Sequence, residues 1–277
     1  MLGSAQNPFA VLTRPEDKNE LLAARLQAHG VATLTLPALS IRPIEAGRGR
    51  LPLPGDYDLL VFVSGSAVRF YLELLARETA DAPWPASTRV ATVGEASARP
   101  LYTSGVVPHQ NILHPGLSES QQDSEGLWRL LEARVPMLKR VLIVRGNTGR
   151  EWLGQKLEQA GVEVQRHAVY QREPALWSAE QLQRLQEGLA SAQPAIWLFT
   201  SSESAEALVL NARKNNIDIF GRNAVFVAIH DRVASRLQLL SEAGAGKAPC
   251  PMVKICSPSD DAIFDTVVSA AFPLKRR

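Results

Sequence analysis

Four short turns carry most of the groups that could do chemistry. Thr13-Arg14 closes the apolar run that begins at Phe9, and Arg145-Gly146-Asn147-Thr148 closes the run that begins at Val141. Ser64-Gly65-Ser66 follows Leu59-Leu60-Val61-Phe62-Val63, and Thr200-Ser201-Ser202 follows Ala195-Ile196-Trp197-Leu198-Phe199. Each turn joins a strand-like run to a helical pattern. Two readings of these hydroxyls and amides stand side by side. They are good helix N-caps, whose oxygens accept the free N–H groups of a first turn. They also mark helix starts, where unpaired N–H groups and the positive end of the helix dipole favour anions. With Arg14 and Arg145 beside them, the second reading points to anion binding. Nucleotide binding is disfavoured, because GNTGR (146–150) is neither a P-loop nor a dinucleotide fingerprint.

Tyr170, in AVYQRE (168–173), is a further candidate. It reads equally as a β-favouring strand residue with its hydroxyl in water or as a weak acid projecting into a gap between lobes. The five histidines, His29, His109, His114, His167 and His230, are scattered and show no ligand spacing. No metal is expected. Cys250 and Cys256 match no zinc or redox spacing and read as reduced thiols. No GxSxG elbow is present, which argues against hydrolase chemistry.

The elements that must position these turns are written twice. VLTRP (11–15) and VLIVRG (141–146) head equivalent units, with Arg14 matching Arg145 at an offset of 131. The same shift pairs Leu22 with Leu153, Leu26 with Leu157, Gly30 with Gly161 and Pro43 with Pro174. FVSGSAV (62–68) pairs with FTSSESA (199–205) at an offset of 137. TVGEASA (92–98) pairs with AIHDRVA (228–234), and DSEGLWRLL (123–131) with SDDAIFDTV (259–267), both at 136. Repeated strand–turn–helix units imply parallel sheets covered on both faces. Right-handed crossovers then predict two flavodoxin-like, doubly wound α/β lobes. Thr33–Pro43 and Val162–Pro174 read as extended runs of about eleven residues that lie outside a lobe interior and could pair with each other as linker strands. Segments 48–50, 80–85 and 116–123 read as loops.

Composition sets the outer bounds. A chain of 277 residues suits one large domain or two lobes. A hydrophobic share of 45 % with 21 % charged residues is ordinary for a globular protein. The net charge of +2, without a basic stripe, argues against nucleic-acid binding. No apolar stretch approaches membrane-spanning length, and the N-terminus does not read as a secretory signal. A cytoplasmic protein without membrane contact is expected, and a monomer, since no apolar surface motif stands out.

The order of these motifs resembles the uroporphyrinogen-III synthase family. The most specific stretch is VLIVRGNTGREWLGQKLEQAGVEVQRHAVYQREP (141–174), supported by TRP (13–15), FVSGSAV, VGEASA (93–98), DSEGL (123–127) and FTSSES (199–204). The resemblance runs from about residue 11 to 270. It implies that one lobe comprises residues 1–36 and 174–277 and the other 44–161. The linker strands 37–43 and 162–173 would form a two-stranded β-ladder hinge. It further implies that hydroxymethylbilane, a linear tetrapyrrole with eight carboxylates, is cyclised to uroporphyrinogen III with loss of water and inversion of ring D through a spiro intermediate. No cofactor is implied. A transient contact with the upstream bilane-forming enzyme is compatible with it.

Carried onto this chain, the resemblance makes Tyr170 the acid that assists departure of the hydroxyl. Thr13, Arg14, Ser64, Gly65, Ser66, Gly94, Arg145, Gly146, Asn147, Thr200, Ser201 and Ser202 become substrate-binding positions. The family's IGxxTA segment is here AIHDRVA, with His230 for glycine and Val233 for threonine, so Arg232 is the candidate for carboxylates at that turn. A different class of reading is a non-catalytic two-lobed binder of an anionic small molecule or tetrapyrrole, which the same fold permits.

Overall fold

The apolar runs become strands and the amphipathic stretches become helices in the computed structural model, which describes residues 7–15, 19–44, 50–79, 82–116, 123–191, 193–221, 223–243 and 250–273. Residues 48 and 49 of the expected arginine loop lie outside the described residues, as do 80–81 and 117–122 of the other two loops. The strands, in chain order, are β1 (Phe9–Leu12), β2 (Ala32–Thr35), β3 (Leu39–Pro43), β4 (Leu59–Phe62), β5 (Arg89–Thr92), β6 (Ile112–Leu113), β7 (Arg140–Gly146), β8 (Glu163–Pro174), β9 (Ala195–Phe199), β10 (Ala224–Ala228) and β11 (Met252–Ile255). The helices are α1 (Glu20–Ala28), α2 (Gly65–Thr79), α3 (Glu95–Ser104), α4 (Ser124–Leu131), α5 (Trp152–Gln159), α6 (Ala179–Leu189), α7 (Ser202–Lys214), α8 (Asp231–Glu242) and α9 (Asp260–Ala271).

The chain divides into two compact units, residues 1–40 with 173–277 and residues 41–172. The sheet of the first unit has the order β11-β10-β9-β1-β2 and is parallel throughout. Its central strands are buried on both faces. Val11, Trp197, Phe199 and Phe226 meet Leu185 of α6 and Leu208 of α7 on one face. Ala10, Leu12, Ile196 and Leu198 meet Leu22 and Leu26 of α1 and Ile263 and Val267 of α9 on the other. This two-sided burial is why those strands read as unbroken apolar runs.

The second sheet has the order β3-β8-β7-β4-β5-β6. Without its edge strand β3 it repeats the order of the first, once the internal repeat is applied. β7 takes the place of β1, β8 that of β2, and β4, β5 and β6 those of β9, β10 and β11. Both sheets therefore have the flavodoxin-like order 2-1-3-4-5. The chain enters the second sheet at its third position, and each unit combines the front of one repeat copy with the rear of the other.

The run 33–43 is not a single linker strand. Leu34 and Leu36 are buried in the first unit, and β2 pairs with β1. The N–H groups of Leu36 and Ala38, on either side of Pro37, still donate to the Leu12 and Thr13 carbonyls, and the chain then resumes as β3 beside β8. The N–H of Ala175 donates to the Ala38 carbonyl, and that of Ile44 to the Val169 carbonyl. The numbers run in opposite directions, so β3 and β8 are antiparallel. The first residues of β8 are an ordinary strand of the second sheet, paired in parallel with β7.

One irregularity matters for the site. Arg145 of β7 lies opposite Ala168, but Gly146 lies opposite Tyr170, so Val169 is an extra residue, a β-bulge. Strict alternation would send Val169 and Tyr170 to opposite faces. The bulge lets both enter the same core cluster, at 0 % and 2 % exposure.

Candidate active site

A cavity of about 370 Å³ opens at the carboxyl ends of the second sheet, lined by Val63, Val93, Asp123, Ser124, Arg145, Thr148, Gly149, Arg150, Tyr170 and Arg172. This is where an open parallel sheet binds ligands. The Tyr170 ring is buried, 6.2 Å from the ring of Phe70 of α2. Its hydroxyl lies 3.1 Å from the Ser64 Oγ. Ser64 Oγ also accepts the N–H of Ala67 at 3.1 Å, so the serine caps α2 and touches the phenol at once. From the other side, Arg172 Nη2 donates to the Tyr170 hydroxyl at 3.4 Å, with the guanidinium carbon 5.7 Å from the ring centroid.

The turn after β7 is built around this ring. Gly146 carries it closely overhead, and the N–H of Asn147 donates to the Tyr170 carbonyl at 2.9 Å. Gly149 has a φ of +151°, which an L side chain rarely adopts, and a Cβ there would stand 3.0 Å from Arg145 Nη2. Arg145 is only 8 % exposed. It pairs with Glu151, whose other oxygen takes Arg166 Nε at 2.7 Å, and Arg166 reaches Glu158 at 2.7 Å. The Arg145 and Arg166 guanidinium groups hold the Glu151 carboxyl below the usual carboxylate range. Arg150 pairs with Glu125, and this contact lowers the Glu125 carboxyl in the same way. Asp123 accepts the Gly126 N–H at 2.9 Å as the N-cap of α4.

The structure thus gathers Arg145 and Tyr170 at the cavity, with Ser64 touching the Tyr170 hydroxyl and Gly146 packed beneath its ring. Gly65 starts α2, where a Cβ would come only into ordinary contact with Pro100 of α3, and Ser66 accepts from Arg69 Nη2 at 3.4 Å. Gly94 is the N-cap of α3, where its carbonyl accepts from Thr92 Oγ1 at 2.9 Å. The remaining candidates belong to the first unit. Thr13 is buried and its hydroxyl donates to the Leu198 carbonyl, which fastens β1 to β9. Arg14 pairs with Asp260 at 2.6 Å and donates to Asn19 Oδ1 at 3.3 Å. Ser201 caps α7 in a reciprocal pair with Ser204, at 3.0 and 3.1 Å, and Thr200 and Ser202 flank it half-buried. Arg232 is exposed in the first turn of α8, and its N–H donates to His230 Nδ1 at 3.0 Å. His230 therefore serves as the N-cap of α8.

Sequence reasoning missed Arg150, Arg172, Asp123 and Ser124 as lining residues. Arg172 lies two residues beyond Tyr170 on a strand, the spacing that puts side chains on one face. Arg150 closes the same GNTGR turn that holds Gly146. Among the described residues, no group of three His, Cys, Asp or Glu side chains is placed to hold a metal ion, and no helix is long and apolar enough to cross a membrane.

A family model described as Uroporphyrinogen-III synthase HemD matches residues 20–241, well over half of the chain. This chain belongs to the uroporphyrinogen-III synthase family. The uroporphyrinogen-III synthase of Escherichia coli (strain K12) is 33 % identical over 165 residues, covering 58 % of this chain and 64 % of the relative. That of Proteus mirabilis is 27 % identical over 165 residues, covering 58 % of this chain and 79 % of the relative. The match thus spans just under two thirds of the length of the Escherichia coli relative. Among solved structures, uroporphyrinogen-III synthetase from Helicobacter pylori 26695 has a TM-score of 0.55 at 18 % identity, covering 95 % of this chain and 99 % of its own. A mutant uroporphyrinogen III synthase from the extremely thermophilic bacterium Thermus thermophilus has a TM-score of 0.50 at 16 % identity, covering 95 % and 98 %. These two share the fold of this synthase-family chain.

Proposed function

We propose that this chain cyclises hydroxymethylbilane to uroporphyrinogen III, with the second-unit cavity as the reacting site. The observation that carries this reading is the Tyr170 hydroxyl, set at an arginine-lined cavity between Ser64 Oγ and Arg172. In the proposed reaction the bilane's terminal hydroxyl leaves as water, which gives an azafulvene. The substituted carbon of the last pyrrole attacks the protonated, cationic form of this azafulvene, the spiro intermediate fragments and recombines with ring D inverted, and the proton lost as the ring regains aromaticity returns to the Tyr170 phenolate.

The electron-rich pyrrole already drives loss of the hydroxyl, so the protein has mainly to orient the bilane. Tyr170 donates a hydrogen bond, and finally its proton, to the departing oxygen. The charge left on the phenol is met by the Ser64 hydroxyl and the Arg172 guanidinium. Arginines in the lining and helix N-termini at the strand ends suit a substrate with eight carboxylates. Hydroxymethylbilane as the partner, a monomeric state and a passing contact with the bilane-forming enzyme belong to the same proposal.

The test is product isomer analysis. The protein is given hydroxymethylbilane, the products are oxidised and the isomers separated. Isomer III well above the spontaneous background supports the reading. Isomer I alone, at the background rate, refutes it and leaves the non-catalytic binder.

A further inference from the structure

Three arginines line the cavity, and they are not equally available to a ligand. Arg145 is 8 % exposed, and its partner Glu151 is shared with Arg166. Taking its partner away would leave the buried guanidinium uncompensated. Arg172 is engaged at the Tyr170 hydroxyl. Arg150 differs. Its side chain is 61 % exposed, that of Glu125 is 34 % exposed, and the two meet fork to fork. Arg150 Nη1 donates to Glu125 Oε2 at 3.1 Å, while Nη2 donates to Oε1. This is the two-point geometry in which a guanidinium takes any carboxylate, and an exposed pair of this kind is weak enough to exchange.

We propose that Glu125 is an internal competitor for Arg150, occupying the position that a substrate carboxylate takes on that guanidinium and thereby setting the affinity of the site for its polyacid. The inference rests on the proposed cyclase reading for the identity of the polyacid. Glu125 lies in the first turn of α4, directly after Asp123 and Ser124 of the cavity lining. The α4 N-cap is Asp123, whose carboxylate is committed to the Gly126 N–H. Neutralising Glu125 therefore unmasks Arg150 without removing the cap. A negative charge in a first turn also favours the helix, so Glu125 stabilises α4 while it lowers ligand affinity.

The experiment uses the full chain and two readouts. One is the Kd for uroporphyrin III, the oxidised octacarboxylate, from tryptophan fluorescence. The other is KM for hydroxymethylbilane with isomer separation. Glu125→Gln is expected to lower Kd and KM by roughly two- to fivefold, the scale of one exposed ion pair. Arg150→Gln is expected to raise both, and adding Glu125→Gln to it should change nothing further. Glu206→Gln removes the same charge from the exposed Arg236–Glu206 pair of the first unit and serves as the control; it should leave Kd where it was. Thermal melts check folding. Where Glu125→Gln melts early, Glu125→Asp replaces it, since the shorter acid keeps the charge but loses the two-point reach. An unchanged or higher Kd in the folded variant overturns the inference, as does an equal gain in the Arg150→Gln background. If the wild-type chain makes isomer I alone, the cyclase reading fails, while the Kd comparison still decides the role of Glu125.

Discussion

The ring of Tyr170 occupies the space that a side chain on residue 146 would need: a Cβ built on Gly146 stands 2.7 Å from Tyr170 Cε2 and 2.9 Å from Cζ. Gly146→Ala must therefore shift a buried ring. It should cost about 1–3 kcal/mol of stability, as overpacking does. Because a displacement near 1 Å can cost on the order of 100-fold in rate, kcat should fall at least tenfold while KM changes little. Gly154→Ala is the contrast. Its Cβ would meet Arg166 Nη2 at 2.6 Å, the far end of a long side chain, and alanine favours the helix by about 1 kcal/mol. Urea unfolding and isomer-resolved kinetics on both variants check the pair. Equal rate losses in the two would show that the ring position is not what matters.

Tyr170→Phe keeps the ring on Gly146 and removes only the hydroxyl. General-acid groups typically contribute about 10²–10⁴-fold, and the leaving hydroxyl is already activated by its pyrrole. The expected loss in kcat is therefore at the low end, about 10- to 100-fold, with residual isomer III still formed. A variant as fast as wild type in a stopped-time assay would take Tyr170 out of the acid role.

Ser64 and Ser178 separate capping from chemistry. Ser178 caps α6 of the first unit in a reciprocal arrangement with Gln181, and it does not line the cavity. Ser178→Ala should cost about 1 kcal/mol of stability and leave the isomer ratio alone. Ser64→Ala should cost a similar amount of stability, and in addition lower kcat several-fold, because it strips the Tyr170 hydroxyl of its 3.1 Å partner. Melting temperatures measured beside product isomers distinguish the two. A Ser64→Ala variant that loses stability without losing rate would reduce Ser64 to a cap.

Much of the architecture was legible because parallel strands buried on both faces read as continuous apolar runs, as Ala195–Phe199 and Val141–Val144 do. The repeat also carried the shared strand order, since Arg14 and Arg145 sit at the ends of equivalent strands β1 and β7. The site was less legible for three physical reasons. The bulge at Val169 redirects Tyr170 against strand alternation, and no local residue type announces it. Arg145 looked available as an anion anchor, yet its partner Glu151 reaches back across a turn in which Gly149 takes a φ of +151° that other residues rarely adopt. Thr13 looked like a ligand hydroxyl at a strand end, but the neighbouring strand β9 presents the Leu198 carbonyl to it. Each of these depends on what a second element places opposite, which is tertiary information.

The pH dependence of folding should be readable at Asp58. One oxygen, Oδ2, accepts the N–H groups of Lys139 at 2.7 Å and Arg140 at 2.9 Å, which ties the entry to β4 to the start of β7. The Arg140 N–H, with a smaller share from that of Lys139, holds this carboxyl below its ordinary value of 3.8. The folded state therefore binds the proton more weakly than the unfolded chain does. The resulting stability is fully present above about pH 4 and is lost as pH falls through the lower folded value. Because the group is partly solvated, Asp58→Asn should cost only about 1 kcal/mol at neutral pH, with the amide oxygen retaining part of the contact. Urea unfolding of wild type and Asp58→Asn at pH 7, 5 and 3 should show a gap that is constant between the first two and narrows at the third. A gap that stays the same at pH 3 would mean that the charge on Asp58 contributes nothing beyond the hydrogen bonds an asparagine can make.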